Sequence, residues 1–363
     1  MVADEGPVWA LGCMSGTSMD GIDAAALLTD GHQIHGFGPK RFEPFSDADR
    51  AAIAAAMGQW DGPQVDAAAR VVTQAHGAML DYFPTVELVG FHGQTLAHDP
   101  DGWRTLQVGD GARLATEAGK PVVWDFRTAD VLSGGQGAPL VPFFHHACAQ
   151  VLDLDGPVAF LNIGGVANVT WVNPGVSRPE ALGALLAFDT GPGNALIDDV
   201  MADRTGAALD QGGALALEGA VDEGIVAEVL GDPYLAREPA KSLDRNHFHW
   251  VLERVSGMST EDAAATLAAI TAACVADSIR HMPEPPKEWL VAGGGRHNVA
   301  ILSGLEARSN APVRPVEAVG LDGDFLEAQA FAYLAVRVLR GLPTSAPGTT
   351  GCRVPVCGGR VSG

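Results

Sequence analysis

The strongest constraint on the fold is a unit that occurs twice: a short apolar run, a glycine-rich turn and a second short apolar run. The first copy joins residues 8–11 to residues 22–28, and the second joins Val158–Ile163 to Val166–Val172 through Gly164-Gly165. Short apolar runs on both sides of a turn are typical of a buried β-hairpin. The copies lie about 150 residues apart, one domain's length, so they indicate a duplicated architecture. Coincidence is the alternative, since hairpins with glycine turns are common.

Helical and strand patterns alternate between and after these hairpins. Residues 288–292 form a predicted strand that ends in a triple glycine, and residues 259–262 form a capping box that begins a helix running to about His281. A final helix is predicted over residues 324–340, whereas the Gly-, Thr- and Pro-rich tail, residues 347–363, is expected to be partly disordered. The alternation predicts an α/β protein with mixed sheets and with ligands at strand ends.

Length and charge narrow the class of protein. A chain of 363 residues exceeds the usual single domain, so two domains are expected. The formal net charge of −21 argues against binding to nucleic acid or anionic membranes, which needs a basic face. An acidic protein that binds a nucleotide must hold the phosphates with local N–H groups, a few arginines and a metal ion. We expect a small-molecule substrate, no nucleic acid and no membrane, and leave a homodimer open.

The sequence also predicts a cytoplasmic protein. Residues 1–7 are acidic and lack the basic region of a signal peptide. No window supplies the ~20 apolar residues that span a bilayer, and the nearest is residues 263–276. Five scattered cysteines fit reduced thiols better than disulfides. A metal site at Cys352 and Cys357 would need two more ligands, so an unstructured tail is the simpler interpretation.

The first turn, residues 16–20, is the candidate for holding phosphates, because the chain has no Gly-x-x-x-x-Gly-Lys-Ser/Thr loop and no Gly-x-Gly-x-x-Gly after a strand. Gly16-Thr17-Ser18 offers consecutive N–H groups and two hydroxyls, and Asp20 can reach a metal ion directly or through water. Gly12, Gly16 and Gly21 are expected to allow close backbone approach and positive φ. The alternative is a plain hairpin with an Asp20-Gly21 turn.

Gly293-Gly294-Gly295 is the candidate for contact with the nucleoside. It follows a predicted strand and, with Arg296-His297-Asn298, precedes a helical stretch from Val299. Three glycines let a base and ribose lie against the backbone, and the helix start can face phosphate. A tight strand–helix turn is the alternative.

Asp189 is the strongest catalytic candidate. An apolar strand delivers its carboxylate to the C-terminal end, before a Gly-Pro-Gly turn and a helix over residues 195–204. A carboxylate in that position can act as general base towards a hydroxyl or water. The alternative is an aspartate that caps the helix or forms an Asx-turn. Asp198 and Asp199 are expected on the solvated face of that helix.

Two polar clusters, residues 90–98 and residues 125–137, suit a sugar, whose hydroxyls need paired donors and acceptors. The first is expected just after a strand, and an arginine in the second could hold a substrate carboxylate. A buried, satisfied histidine and a local arginine–aspartate ion pair are the alternatives. The candidate residues are His92, Gln94, Thr95, Arg127, Asp130 and Gln136.

Glu327 has a structural explanation. Asp324-Phe325-Leu326-Glu327 is an Asp-x-x-Glu start to an apolar helix, so a capping box accounts for the carboxylate without any function.

Six segments together resemble the anhydro-N-acetylmuramic acid kinase family. They occur in order and span nearly the whole chain, and although each is weak alone, the set is highly specific. Residues 177–184 and the tail match nothing in that pattern. The segments are Gly16-Thr17-Ser18-Met19-Asp20-Gly21-Ile22-Asp23, Phe91-His92-Gly93-Gln94-Thr95, Asp125-Phe126-Arg127-Thr128-Ala129-Asp130, Asn162-Ile163-Gly164-Gly165-Val166-Ala167-Asn168, Phe188-Asp189-Thr190-Gly191-Pro192-Gly193-Asn194 and Gly323-Asp324-Phe325-Leu326-Glu327-Ala328.

The resemblance implies the two-domain actin-like, ribonuclease-H-like sugar kinase fold, with duplicated domains around an ATP cleft. Domain I would contain residues 1–140 and about 325–363, and domain II residues 141–324. The two hairpins would hold the phosphates of ATP, bound with Mg²⁺ at Asp20. The implied ATP-binding residues are Gly16, Thr17, Ser18, Met19, Asp20, Gly21, Ile22, Asp23, Gly164, Gly165, Asn168, Gly293, Gly294, Gly295 and Asn298.

The implied reaction converts 1,6-anhydro-N-acetylmuramate, ATP and water to N-acetylmuramate 6-phosphate and ADP in cell-wall recycling. Asp189 would take the proton from water, and Glu327 would become its active-site partner, a role that only the resemblance gives. Two alternatives remain at this point. One is an ordinary sugar kinase of the same fold, in which Asp189 deprotonates a free hydroxyl; the other is a non-catalytic or chaperone-like ATP-binding protein.

Overall fold

Strands and helices alternate along the described chain, residues 6–363 of this computed structural model. The strands are β1 (Val8–Ser15), β2 (Gly21–Thr29), β3 (Ile34–Pro44), β4 (Leu88–Asp99), β5 (Arg104–Val108), β6 (Val122–Trp124), β7 (Val158–Ile163), β8 (Val166–Val172), β9 (Leu185–Pro192), β10 (Trp289–Ala292), β11 (Val313–Pro315) and β12 (Arg360–Ser362). The helices are α1 (Asp47–Ala54), α2 (Pro63–Leu80), α3 (Gly111–Ala118), α4 (Thr128–Leu132), α5 (Pro142–Val151), α6 (Ala195–Thr205), α7 (Ala214–Glu218), α8 (Glu223–Leu230), α9 (Val251–Val255), α10 (Thr260–Asp277), α11 (Val299–Ser309), α12 (Leu326–Leu339) and α13 (Pro347–Thr350). Short 3₁₀ segments occupy Gln211–Gly213, Ser278–His281, Gly294–His297 and Val316–Val319.

The first predicted hairpin lies within the larger sheet. β1 pairs antiparallel with β2, placing Cys13 opposite Ala24, and β2 pairs antiparallel with β3. On the other side β4 runs parallel to β1, and β6 runs parallel to β4. The strand order is β12-β6-β4-β1-β2-β3, with β5 paired to β4.

The second predicted hairpin organises the other sheet in the same way. β7 pairs antiparallel with β8 and β8 with β9, while β10 runs parallel to β7 and β11 parallel to β10. The order β11-β10-β7-β8-β9 therefore repeats β6-β4-β1-β2-β3, strand for strand and direction for direction. The predicted α/β fold with mixed sheets and duplicated units is confirmed, and the two hairpins are not a coincidence.

The chain divides into two compact units, each built on one sheet. Unit 1 contains the described residues up to Asp153, Val176–Ala184 and Phe325–Gly363; unit 2 contains Leu154–Gly175 and Leu185–Asp324. The first boundary thus lies beyond the expected residue 140, because α5 packs in unit 1.

The contacts of α5 and of Val176–Ala184 explain this division. In α5, the Phe144 ring lies 6.0 Å from that of Tyr333 in α12. The segment Val176–Ala184 also belongs to unit 1 rather than to the second domain. Its Glu180 pairs with the fully buried Arg337 of α12 at 3.0 Å.

Helix α12 lies directly on the unit 1 sheet. A Cβ at Gly12 in β1 would overlap the carbonyl oxygen of Ala328, and one at Gly90 in β4 would overlap that of Phe331. Only glycine lets the helix approach this closely. The helix begins at Leu326 and has no side-chain cap.

Helix α10 is the central helix of the unit 2 core. Its predicted cap is confirmed, since Ser259 Oγ accepts the N–H of Asp262 at 3.1 Å. With the following 3₁₀ segment it spans Thr260–His281, which is long and apolar enough to cross a membrane by length and composition alone. Because 78% of its most apolar window is buried, it has the character of a core helix.

The C-terminal tail is ordered, so the expectation of partial disorder is wrong. β12 pairs antiparallel with β6, with Val361 opposite Val123, and Cys352 is buried. The long-range partner of this short strand cannot be read from the local composition.

All five cysteines are free thiols, as expected. The acidic N-terminus is described only from Gly6, and residues 1–5 lie outside the described chain.

Candidate functional site

The first turn presents polar groups to solvent between β1 and β2. Thr17, Ser18 and Asp20 are exposed, and the Met19 N–H closes the turn on the Gly16 carbonyl at 3.1 Å. The expected positive φ falls on Met19, at 58°, and on none of Gly12, Gly16 and Gly21. The turn is therefore an open loop with accessible hydroxyls.

The neighbouring glycines serve packing rather than a ligand. Gly12 accommodates α12, and a Cβ at Gly21 would overlap the carbonyl oxygen of Glu43 in β3. Of the three predicted glycines, only Gly16 has space beside it, since a Cβ there would lie 3.4 Å from Ser18 Oγ.

The first polar cluster lies within β4. The sequence predicts it just after a strand, and that prediction is wrong. Gln94 is fully buried, and its Nε2 donates to the Gly16 carbonyl at 3.1 Å. Its Oε1 has no hydrogen-bond partner among the described residues. Thr95 accepts from Gln107 Nε2 at 3.3 Å. Gln94 therefore fixes the first turn to the sheet, which gives it a positioning role.

His92 and Arg127 form a hydrogen-bonded pair. Arg127, directly before α4, donates from Nε to His92 Nε2 at 3.0 Å and from Nη1 to the Gly137 carbonyl at 2.8 Å. The His92 Nδ1 lies 2.9 Å from the Gly93 carbonyl. Burial, followed by the Arg127 charge, holds the pKa of His92 well below its usual value. A neutral imidazole with its proton on Nδ1 satisfies both contacts.

Asp130 holds two loops together, and no ion pair joins it to Arg127 among the described residues. Its Oδ2 accepts the Gly137 N–H at 2.7 Å, and its Oδ1 accepts the Thr350 hydroxyl at 2.7 Å and the Ser345 hydroxyl. Gln136 lies in the same loop, where its carbonyl accepts from His98 Nε2 at 2.9 Å. Because both of its carboxylate oxygens accept hydrogen bonds within unit 1, Asp130 fixes the shape of this loop.

Glu327 lies in the first turn of α12 with an exposed side chain. The predicted capping box is wrong, because Asp324 pairs instead with Arg296 in unit 2 at 2.6 Å. Desolvation by surrounding protein raises the pKa of Glu327, and the Arg127 charge lowers it in part. Capping therefore does not explain this carboxylate, and the Arg127 charge acts on it without a direct ion pair among the described residues.

The donor set for a metal ion in unit 1 is small. No group of three or more His, Cys, Asp or Glu side chains within residues 6–363 is arranged to hold a metal. Cys352 and Cys357 are therefore not part of such a group. Mg²⁺ is commonly held by one or two carboxylates together with substrate phosphates. The exposed Asp20 fits that mode of binding, as one carboxylate beside the N–H groups of the first turn.

The second turn, Gly164-Gly165, rests on the N-terminus of α6. The Gly164 carbonyl accepts the Asn194 N–H at 2.7 Å, and the Gly165 carbonyl accepts the Gly193 N–H at 3.0 Å. Gly165 is exposed. Asn168 lies opposite Asp189 in the β8–β9 register, so this turn and the catalytic candidate belong to one hairpin system.

Asp189 lies inside β9, three residues before its end, and does not cap α6. Its Oδ2 accepts the Leu243 N–H at 2.8 Å, and its backbone N–H donates to the Lys241 carbonyl at 3.1 Å. Burial raises the pKa of Asp189 to about 6, while the Leu243 N–H and the Lys241 charge lower it. This gives a carboxylate that is ionised at neutral pH and more basic than an exposed one.

Sequence reasoning missed the loop that positions Asp189. The Tyr234 hydroxyl donates to the Asp189 carbonyl at 3.0 Å, and Lys241 Nζ donates to the Leu235 carbonyl at 2.8 Å. Burial lowers the pKa of Lys241 to about 8. No local pattern in residues 234–243 indicates these contacts.

A depression of about 260 Å³ in unit 2 brings Gly294 and Asn298 together with the N-terminal turn of α6. Asn298 also caps α11, since its Oδ1 accepts the Ile301 N–H at 3.1 Å. Gly293 and Gly295 pack instead against Asn162 and Ile163 at the end of β7. The depression is lined by Asn194, Ile197, Asp198, Leu209, Asp210, Gln211, Gly212, Gly294, His297 and Asn298.

Asp198 departs from its expected place on a solvated face. It lines this depression, where burial and then Asp199 raise its pKa to about 6. The depression has both apolar and polar walls and is slightly smaller than the ~300 Å³ at which ordinary ligand pockets begin.

Comparison with known proteins gives a family match over nearly the whole chain. A family model described as anhydro-N-acetylmuramic acid kinase matches residues 8–362. The chain is 56% identical over 361 residues to the anhydro-N-acetylmuramic acid kinase of Roseobacter denitrificans, covering 99% of this chain and 96% of that protein. It is 58% identical over 360 residues to the corresponding protein of Cereibacter sphaeroides, covering 98% and 96%.

Matches among solved structures are more distant. The activator of the 2-hydroxyisocaproyl-CoA dehydratase from Clostridium difficile, with bound ADPNP, aligns with a TM-score of 0.46 at 13% identity over 92% of this chain and 96% of that one. A ROK family glucokinase from Streptomyces griseus, in complex with glucose and AMPPNP, aligns with a TM-score of 0.41 at 17% identity over 90% and 99%. At these values we transfer no residue role from either protein.

Proposed function

The chain belongs to the anhydro-N-acetylmuramic acid kinase family, and from that premise we propose how its residues carry out the reaction. It is an ATP-dependent sugar kinase. Its substrates are 1,6-anhydro-N-acetylmuramate, ATP and water, and its products are N-acetylmuramate 6-phosphate and ADP. The C1–O6 bond breaks as water oxygen bonds to C1, and O6 takes the γ-phosphoryl group as the bond to ADP breaks.

Asp189 is the proposed general base. Its raised pKa, about 6, leaves it ionised at neutral pH yet basic enough to accept the proton of the attacking water. The Leu243 N–H fixes Oδ2 and leaves Oδ1 for the water. The partly buried carboxylate in the Phe188–Asn194 segment, fixed by the Leu243 N–H, is the single observation that carries this proposal.

Unit 1 supplies the proposed sugar contacts. Arg127, held by His92 and by the Gly137 carbonyl, offers N–H groups to substrate oxygens. Glu327 lies within electrostatic reach of Arg127 and accepts a hydrogen bond from a sugar hydroxyl or from the nucleophilic water. Asp130 supports Arg127 through the Gly137 backbone, and Gln94 fixes the first turn. Thr95 and Gln136 remain proposed sugar contacts.

ATP binding uses groups from both sheets in the proposal. The N–H groups and hydroxyls of the first turn bind phosphate, as does the second turn, and the depression lined by Gly294 and Asn298 takes the nucleoside. Mg²⁺ bound with ATP would be held by Asp20 and would neutralise charge on the transferring phosphoryl group. We also propose a cytoplasmic location, which agrees with the free thiols and supplies ATP.

An isotope experiment tests the reaction. The protein is incubated with 1,6-anhydro-N-acetylmuramate, ATP, Mg²⁺ and ¹⁸O-water, and the products are analysed by mass spectrometry. We expect label at the anomeric hydroxyl and none in the phosphate, because water attacks carbon. A phosphorylated product with an intact anhydro ring would identify an ordinary sugar kinase. ATP hydrolysis without a sugar product would support the chaperone-like alternative.

A further inference from the structure

Arg245, two residues beyond the loop that positions Asp189, is an exposed cation without a protein partner. It has no hydrogen bond, ion pair or aromatic ring contact with any of residues 6–363. Every other lysine and arginine of unit 2 has at least one such contact in the described chain. All five N–H groups of the Arg245 guanidinium are therefore available to a ligand.

The Arg245 side chain lies beside the second turn. A Cβ placed on Gly165 would lie 3.8 Å from Arg245 Nε and 3.6 Å from the Cβ of Ala195, the first residue of α6. Gly165 is exposed, and its N–H has no hydrogen-bond partner among the described residues. A backbone N–H and a guanidinium thus lie close together at the turn, where both can donate to the same anion.

Arg245 is also close to the depression that takes the nucleoside in the proposal. Burial and then Asp199 raise the pKa of Asp198, which lines the depression, whereas the Arg245 charge lowers it. No ion pair joins Arg245 to Asp198 in the described chain, so the guanidinium is not neutralised by direct contact. Asn194, which lines the depression too, donates its backbone N–H to the Gly164 carbonyl. The depression therefore adjoins the second turn, and Arg245 lies where the two meet.

The charge of this region opposes phosphate binding unless a cation is present. Asp198 and Asp199 carry negative charge beside the turn, and the chain as a whole has a formal net charge of −21. Lys241 does not supply the missing cation, because its amine is bound to the Leu235 carbonyl. Arg245 has no such partner, and its planar guanidinium matches two oxygens of one phosphate group.

We propose that Arg245 binds the phosphate groups of ATP at the second turn, together with the Gly165 N–H. This inference rests on the proposed function, in which the depression takes the nucleoside and the second turn binds phosphate. It adds a cationic side chain to a turn of two glycines, which offers backbone groups only. The carboxylate of the sugar is the other oxyanion of the proposed reaction, so the test separates the two.

The test measures nucleotide affinity without turnover, by calorimetric titration with AMPPNP–Mg²⁺ in the absence of sugar. Arg245→Met removes the charge at similar length, so Kd for AMPPNP should rise about tenfold, the loss of one charge-assisted contact. In steady-state assays, KM for ATP should rise by a similar factor, whereas KM for the sugar should change by less than about twofold. Arg245→Lys keeps the charge without the fork and should give intermediate values.

Two controls separate binding from folding. Arg254→Met removes an exposed arginine of α9 that pairs with Glu228, and it should leave nucleotide affinity unchanged. Because Arg245 has no protein partner, the Tm of Arg245→Met without ligand should stay within about 2 °C of that of the unmodified protein.

Four outcomes decide the inference. Unchanged affinity of Arg245→Met for AMPPNP would overturn it and leave Arg245 as a solvated charge beside Asp198. A raised KM for the sugar, with unchanged nucleotide affinity, would assign Arg245 to the sugar carboxylate and also overturn it. If the unmodified protein bound AMPPNP but did not open the anhydro ring, the proposed reaction would fail while a weakened Arg245→Met would still support the inference. If the unmodified protein bound no nucleotide, both would fail.

Discussion

At the scale of single residues, Asp189 shows how the fold sets the chemistry of one side chain. Burial raises its pKa, and the Leu243 N–H limits that rise by binding the carboxylate. The Lys241 side chain contributes only charge, because its amine is bound to the Leu235 carbonyl, whereas the Lys241 backbone carbonyl accepts the Asp189 N–H. The balance leaves a base with a pKa of about 6, close to neutral pH.

Replacing this carboxylate tests its role in catalysis. Asp189→Asn keeps the shape and removes the base, so kcat should fall roughly 10²–10⁴-fold with little change in substrate affinity. In the unmodified protein, kcat/KM should decline as pH falls through about 6, where Asp189 becomes protonated. Asp203→Asn, an exposed change on α6, is the control. Near-normal turnover of Asp189→Asn would remove Asp189 as the base.

The same variant has an opposite effect on stability. Because the folded-state pKa is raised from 3.8 to about 6, the folded state retains the proton better than the unfolded state. The stability from this group is therefore complete below pH 3.8 and is lost as pH rises through about 6. As pH rises from 4.5 to 7.5, the free energy of unfolding of Asp189→Asn should therefore increase by about 1–2 kcal/mol relative to that of the unmodified protein. Denaturant unfolding at both pH values measures this, and a pH-independent difference would contradict the raised pKa.

At the scale of elements, the glycines around the first turn have separable roles. Gly12→Ala places a methyl group against the α12 backbone, which cannot move aside, so Tm should fall by roughly 5–10 °C. Gly16→Ala meets only ordinary contact with Ser18, so Tm should stay within about 2 °C while KM for ATP rises. Gly257→Ala, with open space around it, is the control. Equal melting temperatures for the Gly12 and Gly16 variants would refute this division.

Elements with a local signature were predicted well, and those fixed by distant partners were not. The Ser259 cap and both hairpins follow from spacing within a few residues. The edge strand β3 contains charged and aromatic residues around glycines, a pattern that does not predict a strand. In the structure it nevertheless pairs with β2. The place of Asp189 near the end of an apolar strand follows from its local sequence, whereas Tyr234 and Lys241 contact it only after folding.

At the scale of the whole molecule, the tail completes unit 1. A chain that ends at residue 343 loses Ser345 and Thr350, leaving the buried Asp130 carboxylate with the Gly137 N–H alone. We expect the free energy of unfolding of this shortened chain to fall by about 3 kcal/mol or more, or the chain to be insoluble. A chain that ends at residue 358 lacks only β12, so its free energy of unfolding should fall by about 1–2 kcal/mol. Thermal denaturation of the three lengths measures this, and equal values would show that the tail does not stabilise the fold.

The sequence predicts the duplication of the sheets but not the boundaries between the two units. Two hairpins one domain apart were enough to indicate two related sheets. The assignment of α5 and Val176–Ala184 to unit 1 depends on contacts such as Arg337 with Glu180, which are separated by more than 150 residues and leave no local pattern.

The seating of α12 over Gly12 and Gly90 has a consequence for biosynthesis. A ribosome makes β1 and β4 early and α12 near the end, so the nascent sheet of unit 1 remains uncovered on that face through most of translation. The unit 2 strands emerge in the interval and have their own central helix, α10, before α12 appears. Unit 1 therefore closes only after translation has passed Leu339, and until then its apolar face is a natural client for a chaperone.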